Sequence, residues 1–234
     1  MTFPEWTQFQ TRIHEFETRG LVTRTFRRLD PDRQQAVVQA ILDEAGEAGP
    51  AAINIKKVAE RAGVSIGSLY QYFCSRDGLM AFAVALCVRY MTDMFAESRP
   101  YLLAMPLREA LSAYLSYGIE WGGTQAGLVR FFGRAAYQGD PILAESVVRP
   151  VALAMRNLVA DILSAARERG ELRPNLDLEA AARLVNLMLI ALGDSQMLPY
   201  LNAYYQVTDE AVPFERVLSG LLDILEHGLM GGMK

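Results

Sequence analysis

The chain has 234 residues and a formal net charge of −4 at pH 7, and 51% of its residues are hydrophobic. This length leaves room for one or two domains with a substantial hydrophobic core. The acidic average would argue against a nucleic-acid partner only if it were uniform. Residues 1–80 are neutral overall, however, and residues 51–76 carry a local excess of positive charge.

The sequence shows no sign of a secreted, membrane or metal-binding protein. Its first residues, MTFPEWTQFQTR, are acidic and polar where a secretory signal is apolar, and the longest apolar run, 79–88, is about half the length that spans a bilayer. Cys74, Cys87, His14 and His227 lack the spacing of a zinc site. We therefore expect a soluble, cytoplasmic protein with no membrane partner, metal or cofactor.

The N-terminal segment predicts an extra helix. Trp6, Phe9, Ile13 and Phe16 follow helical spacing, which indicates an amphipathic helix over residues 4–19. Acidic residues offset the basic ones on this helix, which argues against a membrane-surface role. We expect it to pack on its own subunit or on a neighbouring one.

Three arginines follow this predicted helix, at Arg24, Arg27 and Arg28. They are placed to lie along a phosphate backbone or to enter a minor groove, as the basic arms of DNA-binding proteins do. The alternative is a solvated run of charge.

Residues 30–79 predict three helices. Asp30 followed by Pro31 is typical of a helix start, and a helical stripe of apolar residues follows and ends near 46–50. Asn54 is placed to cap the second helix, and Gly63 to end it, because glycine adopts the left-handed conformation of a helix exit without steric strain. The apolar stripe of this second helix consists of Ile55, Val58, Ala59 and Ala62.

The third helix is predicted to begin after Ser65 as its N-cap and to cover residues 66–73. Leu69 and Phe73 lie on one side of it. Four others must point elsewhere, and their small or polar side chains suit a close approach to DNA. They are Gly67, Ser68, Gln71 and Tyr72.

The stretch from Ala59 to Leu79, AERAGVSIGSLYQYFCSRDGL, resembles the DNA-binding domain of the tetracycline-repressor (TetR) family. The resemblance implies an all-α protein. Its N-terminal three-helix helix-turn-helix domain binds DNA, and its C-terminal helical domain binds a ligand and forms the dimer. We accordingly expect three segments: the extra helix and basic arm at 1–29, the DNA-binding domain at 30–79, and the ligand-binding and dimerisation domain at 80–234.

The resemblance also implies roles for individual residues. Residues 66–73 become the recognition helix, Tyr70 and Arg76 become phosphate contacts, and other residues lie at the DNA backbone or groove. The candidate DNA-binding residues are Lys56, Ser65, Ile66, Gly67, Ser68, Tyr70, Gln71, Tyr72 and Arg76, with Arg27 and Arg28 of the arm.

Two residues depart from the family pattern, so a base preference cannot be inherited. Ile66 stands where a polar residue is common, and Cys74 where proline or a small residue is common. Ile66 lies about 40° from the buried face of its helix. It is therefore either a partly buried shoulder of the core or a contact to a thymine methyl group.

The rest of the chain is predicted to be helical. A long helix from Arg76 to Ser98 should end at Arg99-Pro100, because proline interrupts a helix. Further helices are predicted at 106–121, 125–137, 141–169, 178–203 and 214–230.

Aromatic and stray polar residues of these helices are candidates for a ligand pocket. They are Tyr117, Trp121, Phe131, Arg134, Arg156, Asn186 and Met188. The effector is unknown and is expected to be aromatic or amphipathic. An arginine in the pocket would favour a carboxylate or phenolate, whereas Asp194 or Glu120 would meet a cationic drug. The alternative is that these polar groups pair with one another inside an ordinary core.

The last two long helices carry broad apolar faces, which predict a homodimer. The candidate interface residues are Leu184, Leu187, Leu218, Leu221 and Leu225. A two-fold dimer presents two recognition helices, so the operator should be a near-palindromic duplex.

Together these features predict a ligand-responsive transcriptional regulator without catalytic residues. It would bind double-stranded operator DNA as a repressor and be released by a small molecule. Two alternatives stay open: a thiol-sensing regulator that uses Cys74, and an all-helical enzyme. The sequence carries no nucleophile–base motif for an enzyme.

Overall fold

The computed structural model describes the backbone of residues 6–229 and the side chains of residues 12–229. This part of the chain is built from helices and contains no β-strand element. The predicted all-α fold is confirmed. The helices are α1 (Trp6–Thr18), α2 (Arg24–Arg27), α3 (Pro31–Ala48), a 3₁₀ turn (Pro50–Ala52), α4 (Ile55–Ala62), α5 (Ile66–Phe73), α6 (Arg76–Ala104), α7 (Leu107–Thr124), α8 (Ala126–Tyr137), α9 (Pro141–Leu143), a π turn (Ala144–Val148), α10 (Arg149–Glu168), α11 (Leu178–Met197), α12 (Pro199–Tyr205) and α13 (Phe214–Leu229).

The chain forms two compact units. The first unit combines Met1–Met91 with Thr124–Pro150, and the second combines Thr92–Gly123 with Val151–Lys234. The first unit thus contains α8 and the first half of α6 in addition to the helix-turn-helix. The predicted boundary at residue 79 divides the DNA-binding segment from the ligand-binding and dimerisation segment. The two compact units do not test that division of function, so it stays a prediction.

An aromatic cluster joins the N-terminal helices to the rest of the first unit. The ring of Phe26 lies 5.1 Å from that of Phe73 and 5.9 Å from that of Phe82, measured between centroids. Phe16 of α1 packs edge-on against Phe82 at 5.5 Å. The predicted N-terminal helix therefore exists and packs on its own subunit. The side chains of Trp6 and Phe9 lie outside the described residues.

Helices α3 and α8 approach closely in the first unit because each has a glycine at the contact. A Cβ atom on Gly46 of α3 would lie 3.1 Å from Arg130 Cβ, and one on Gly127 of α8 would lie 3.2 Å from Leu42 Cβ. Real Cβ contacts are rarely this short. The absence of side chains at these two positions sets the distance between the helices.

The prediction that Arg99-Pro100 ends the long helix is wrong, because α6 continues through Pro100 to Ala104. Proline fits helical φ, but it removes one backbone donor and its ring crowds the carbonyl four residues earlier, so the helix continues only with support from other contacts. The last turn is held by other contacts. Arg99 Nε donates to Asp161 of α10 at 2.7 Å, and the side chain of Leu102 is buried in the second unit.

The predicted helix over 141–169 contains a π turn at Ala144–Val148. The Arg149 N–H donates to the carbonyl of Ala144, five residues earlier. Pro150 has no N–H to donate to the carbonyl four residues before it, which explains the wider turn. A second break separates α11 from α12 at Leu198–Pro199, where a single helix over 178–203 was predicted.

The second unit is a bundle with an apolar core. Val159, Ile162 and Leu163 of α10 are fully enclosed, and the rings of Phe95 and Tyr114 stack with centroids 6.3 Å apart. By length and composition α6 could cross a membrane, but half of its most apolar stretch is buried inside the protein. Such burial is typical of a core helix in a globular domain.

Candidate nucleic-acid interface

The turn between α4 and α5 is fixed by side-chain caps and by one glycine. Asn54 Oδ1 accepts the N–H of Lys56 at 3.0 Å, and Ser65 Oγ accepts the N–H of Ser68 at 3.0 Å. Gly63 lies in the left-handed region, with φ 66° and ψ 31°. Both predicted caps and the predicted helix exit are therefore present. This is the geometry of a helix-turn-helix.

Helix α5 buries one side and exposes the other. Leu69 and Phe73 are buried, as predicted. The side chains of Ile66 and Tyr70 are 42% and 46% exposed, and Gln71 is exposed as well. Ile66 therefore lies on the accessible side of the helix, where an apolar group is available to a thymine methyl.

The expectation that Tyr72 points away from the core is wrong. Tyr72 is only 7% exposed, and its ring lies 5.7 Å from that of Phe26 between centroids. Phe26 comes from the N-terminal extension, which covers a side of α5 that the helix-turn-helix alone would leave open. Tyr72 is therefore part of the aromatic cluster.

Arg76 and Arg61 are largely occupied by contacts within the protein. Arg76 donates from Nη2 to the carbonyl of Ala51 at 2.8 Å and from Nε to that of Ile53 at 3.3 Å. Arg61 of α4 donates to the carboxylate of Glu47. A phosphate contact by Arg76 would use its remaining N–H groups.

The other basic residues of this region differ in solvent exposure and in ion pairing. Lys56 and Lys57 at the start of α4 are exposed. Arg27 is half-buried and forms an ion pair with Glu17 of α1, whereas Arg28 is exposed. Free positive charge therefore lies at the start of α4 and on α2, while α5 itself carries no charged residue.

The two cysteines have different environments. Cys87 is fully buried, and burial raises the pKa of its thiol, which keeps it protonated and unreactive. Cys74 is exposed and follows the last residue of α5, with φ 64°, which is unusual for a residue other than glycine. The thiol-sensing alternative therefore concerns Cys74 alone.

The structure does not bring the predicted ligand residues together in one unit. Phe131 and Arg134 belong to the first unit, where Phe131 is fully buried and Arg134 Nε donates to the carbonyl of Gly46 at 3.2 Å. Arg134 therefore binds the end of α3, because its guanidinium supplies partners for carbonyls that α3 leaves open. The predicted candidates that belong to the second unit are Tyr117, Trp121, Arg156, Asn186 and Met188.

Polar groups do lie inside the second unit. Asp194 is 8% exposed, and Oδ1 of Asn186 is buried with no hydrogen-bond partner among the described residues. Burial and the charge of Asp194 raise the pKa of Tyr114, so its phenol stays neutral. Arg156 donates to Asn157 at 3.4 Å, in an exposed contact. The enclosed polar groups are thus mainly hydrogen-bond acceptors and a neutral phenol.

The predicted dimer residues divide into two groups. Leu184 and Leu187 of α11 are exposed, the latter at 62%. Leu218 and Leu225 of α13 are buried inside their own subunit, which leaves little of their side chains for a dimer contact. Their side of α13 packs on the bundle, and the half-buried Leu221 and the exposed Ile224 lie along the flank of that side. Ile224 follows Leu221 by three residues, a helical spacing that could have identified it.

An all-α chain with a capped, tightly turned helix pair and an exposed second helix defines a helix-turn-helix DNA-binding protein. Residues 37–82 match the family model described as bacterial regulatory proteins, tetR family. Over 87 residues the chain is 32% identical to the HTH-type transcriptional regulator BetI 1 of Chromohalobacter salexigens, a match that spans 37% of this chain and 43% of that protein.

Two further comparisons extend over most of the chain. It is 26% identical over 199 residues to the HTH-type transcriptional repressor KstR of Rhodococcus jostii, covering 82% of this chain and 83% of that protein. The structure of a TetR family transcriptional regulator from Chloroflexus aurantiacus J-10-FL has a TM-score of 0.63 at 23% identity, covering 90% of this chain and 99% of that one. The chain therefore carries the DNA-binding region of the tetR family at residues 37–82 and shares the fold of a TetR family regulator over most of its length.

Proposed function

We propose that the protein is a homodimeric, cytoplasmic repressor that binds a near-palindromic operator through α5 and releases it when a small molecule binds the second unit. The observation that carries the DNA-binding role is the exposed face of α5, held by caps at both ends of the α4–α5 turn. The repressor role is supported by the name of the related KstR protein.

DNA recognition in this proposal separates base contacts from phosphate contacts. Gln71 and Ser68 offer hydrogen-bonding groups to base edges, and Ile66 offers an apolar contact to a thymine methyl. Tyr70 and Lys56 bind phosphates, which contribute affinity without sequence preference. Gly67 allows close approach of the backbone, and Ser65 holds the start of the helix.

The dimer in this proposal uses the exposed apolar sides of α11 and α13. Leu184 and Leu187 line one helix, and Leu221 and Ile224 line the other. An unpaired apolar surface of this kind favours association with an identical copy by a two-fold axis. The two recognition helices would then reach half-sites roughly 34–36 Å apart.

The effector in this proposal is mostly apolar and carries a hydrogen-bond donor or a positive charge. The enclosed acceptor Oδ1 of Asn186 has no donor in the described part of the chain, and Asp194 adds negative charge to the same unit. Buried acceptors are costly to leave unpaired, so a donor from a ligand is favoured there. Arg156 would orient an anionic ligand instead, so the test below also includes anionic compounds.

The experiment that tests DNA binding is selection of duplexes by the purified protein from a random-sequence pool. The proposal expects a near-palindromic consensus and a mass of two chains in light scattering. Gln71→Ala should change the selected sequence, whereas Lys56→Gln should weaken binding to all duplexes alike. Equal binding to every duplex, before and after both substitutions, would overturn the proposal.

The effector is tested by thermal shift with cationic and anionic aromatic compounds. A donor-bearing compound that stabilises the protein should lose its effect in Asn186→Leu or Asp194→Asn and should release the selected duplex. Stabilisation by anionic compounds alone, abolished by Arg156→Ala, would reverse the proposed charge preference.

A further inference from the structure

The last turn of the recognition helix α5 is completed by a residue of the N-terminal extension. Thr23 Oγ1 donates to the carbonyl of Gln71 at 2.6 Å, and the Thr23 N–H donates to that of Tyr72 at 2.9 Å. The last four carbonyls of a helix have no partner within it. Here the following residues, Cys74 and Ser75, supply donors for only two of the four. Thr23 supplies the other two.

The same threonine begins helix α2. Its Oγ1 accepts the N–H of Phe26 at 3.4 Å, so one hydroxyl donates to α5 and caps α2. Phe26 is fully buried against Tyr72 and Phe73, the last two residues of α5. Hydrogen bonds and ring packing thus fix α2 against the end of α5, and the extension is not a loose arm.

Helix α2 presents free positive charge. Arg24 and Arg28 are exposed, and neither forms an ion pair within the described residues. Arg27 between them is half-buried and paired with Glu17 of α1, which positions the short helix. The four helical steps from Arg24 to Arg28 span about 6 Å, so both arginines stay near the end of α5. Helix α5 has no charge of its own.

We propose that α2 is a second DNA-contacting element, in which Arg24 and Arg28 bind phosphates of the duplex that α5 reads. Thr23 is the positioning residue that fixes this element to the recognition helix. The inference rests on the proposed function, because it requires α5 to bind DNA. It adds two phosphate contacts in each subunit, next to the half-site. Arg27 then has a structural role, because its ion pair with Glu17 holds α2 on α1.

The test measures affinity as a function of salt concentration, because each phosphate contact on duplex DNA contributes about 0.9 to the slope of log K against log salt. The probes are the duplex that the wild-type protein selects from a random pool and an unrelated duplex of equal length. The double variant Arg24→Gln/Arg28→Gln should lower the slope by about two in each subunit on both probes. The selected sequence should not change.

The matched control is Arg33→Gln. Arg33 is also exposed and lies on neighbouring α3, but its guanidinium is paired with Asp30 at 3.4 Å. It should leave the slope unchanged. Melting temperatures equal to that of the wild-type protein will show that neither variant changes the slope by unfolding the chain.

The positioning role is tested with two substitutions of similar size. Thr23→Val removes the hydroxyl and should weaken binding to the selected duplex by roughly fivefold, the effect of one hydrogen bond, and lower the salt slope, because α2 no longer holds its arginines at the phosphates. Thr23→Ser keeps the hydroxyl and should restore binding. Equal affinities for the two variants would overturn the positioning role.

The outcomes also separate this inference from the proposed function. If the wild-type protein selects a palindromic duplex but the double arginine variant keeps the wild-type slope, α2 is not a DNA contact and the proposed function stands. If the wild-type protein shows no preference among duplexes, the proposed function fails and this inference fails with it.

Discussion

Arg61 of α4 donates to both carboxylate oxygens of Glu47 at the end of α3, and the Nη1–Oε1 distance is 3.0 Å. The same guanidinium lies 3.6 Å from Glu44, whose side chain is 1% exposed. The two oxygens of Glu44 have no hydrogen-bond partner among the described residues. Arg61 is thus the counter-charge for a buried acid as well as for an exposed one.

Removing Arg61 should therefore destabilise the protein more than removing Glu47. Arg61→Gln leaves the Glu44 carboxylate buried without a counter-charge, and we expect a loss of about 1–3 kcal/mol in the free energy of unfolding. Glu47→Gln removes only an exposed partner and should have a much smaller effect. Urea denaturation measures both. Adding Glu44→Gln to the Arg61→Gln variant should restore part of the stability, and a further loss would contradict this explanation.

Glu47 also predicts a pH dependence. Its pKa is lowered from the usual 4.5, chiefly because Arg61 donates hydrogen bonds to the carboxylate. A carboxyl group with a lowered folded-state pKa contributes stability above its unfolded pKa, and this contribution is lost as the pH falls through the folded value. Denaturation between pH 7 and pH about 3 should therefore show a stability loss that is smaller in Glu47→Gln. Identical pH profiles for the two proteins would exclude this contribution.

The contact between α3 and α8 predicts an intolerance of larger side chains. Gly127→Val would bring its Cβ to 3.2 Å from Leu42 Cβ and add two methyl groups beyond it, so we expect a loss of about 1–3 kcal/mol. Gly118→Val on α7 is the control, because a Cβ there meets no atom within 4 Å. Thermal melting compares the two variants. Equal melting temperatures would show that the two helices can separate to accept the side chain.

The sequence predicted local features of the fold well and long-range features poorly. The caps at Asn54 and Ser65 and the helix exit at Gly63 were predictable because each depends on neighbours within a few residues. The partners of Arg134 and of Tyr72 were not, since the end of α3 and Phe26 are far away along the chain. Helical spacing identifies an apolar face but does not show whether its own subunit covers it.

Because spacing does not show which apolar residues the subunit itself covers, the sequence selected Leu218 and Leu225 of α13, which are buried, and omitted the exposed Ile224. The exposed residues lead to a prediction about assembly. Leu187→Arg and Ile224→Arg should each produce a monomer, because a charge would enter an apolar interface without a partner. Leu153→Arg is the control, since Leu153 is exposed on α10 of the same unit. Light scattering gives the mass of each variant. A dimer that survives both substitutions would place the interface elsewhere.

Ile66 predicts a feature of the operator. It occupies the first position of α5 and is 42% exposed, whereas Leu69 on the next turn is buried. An exposed isoleucine at the start of a recognition helix can contact the methyl group that distinguishes thymine in the major groove. The selected duplex should therefore contain a thymine in each half-site whose replacement by uracil, which lacks only that methyl, weakens binding.

The uracil duplex and the variant Ile66→Ala together isolate this contact. The wild-type protein should lose about 0.8 kcal/mol of binding free energy on uracil substitution, the value of one buried apolar carbon, and Ile66→Ala should bind both duplexes equally. Ile142→Ala is the matched control, because Ile142 is 77% exposed and lies outside the helix-turn-helix. It should discriminate as the wild type does. If Ile66→Ala still prefers thymine over uracil, another residue reads the methyl group and Ile66 serves only to shape the surface of α5.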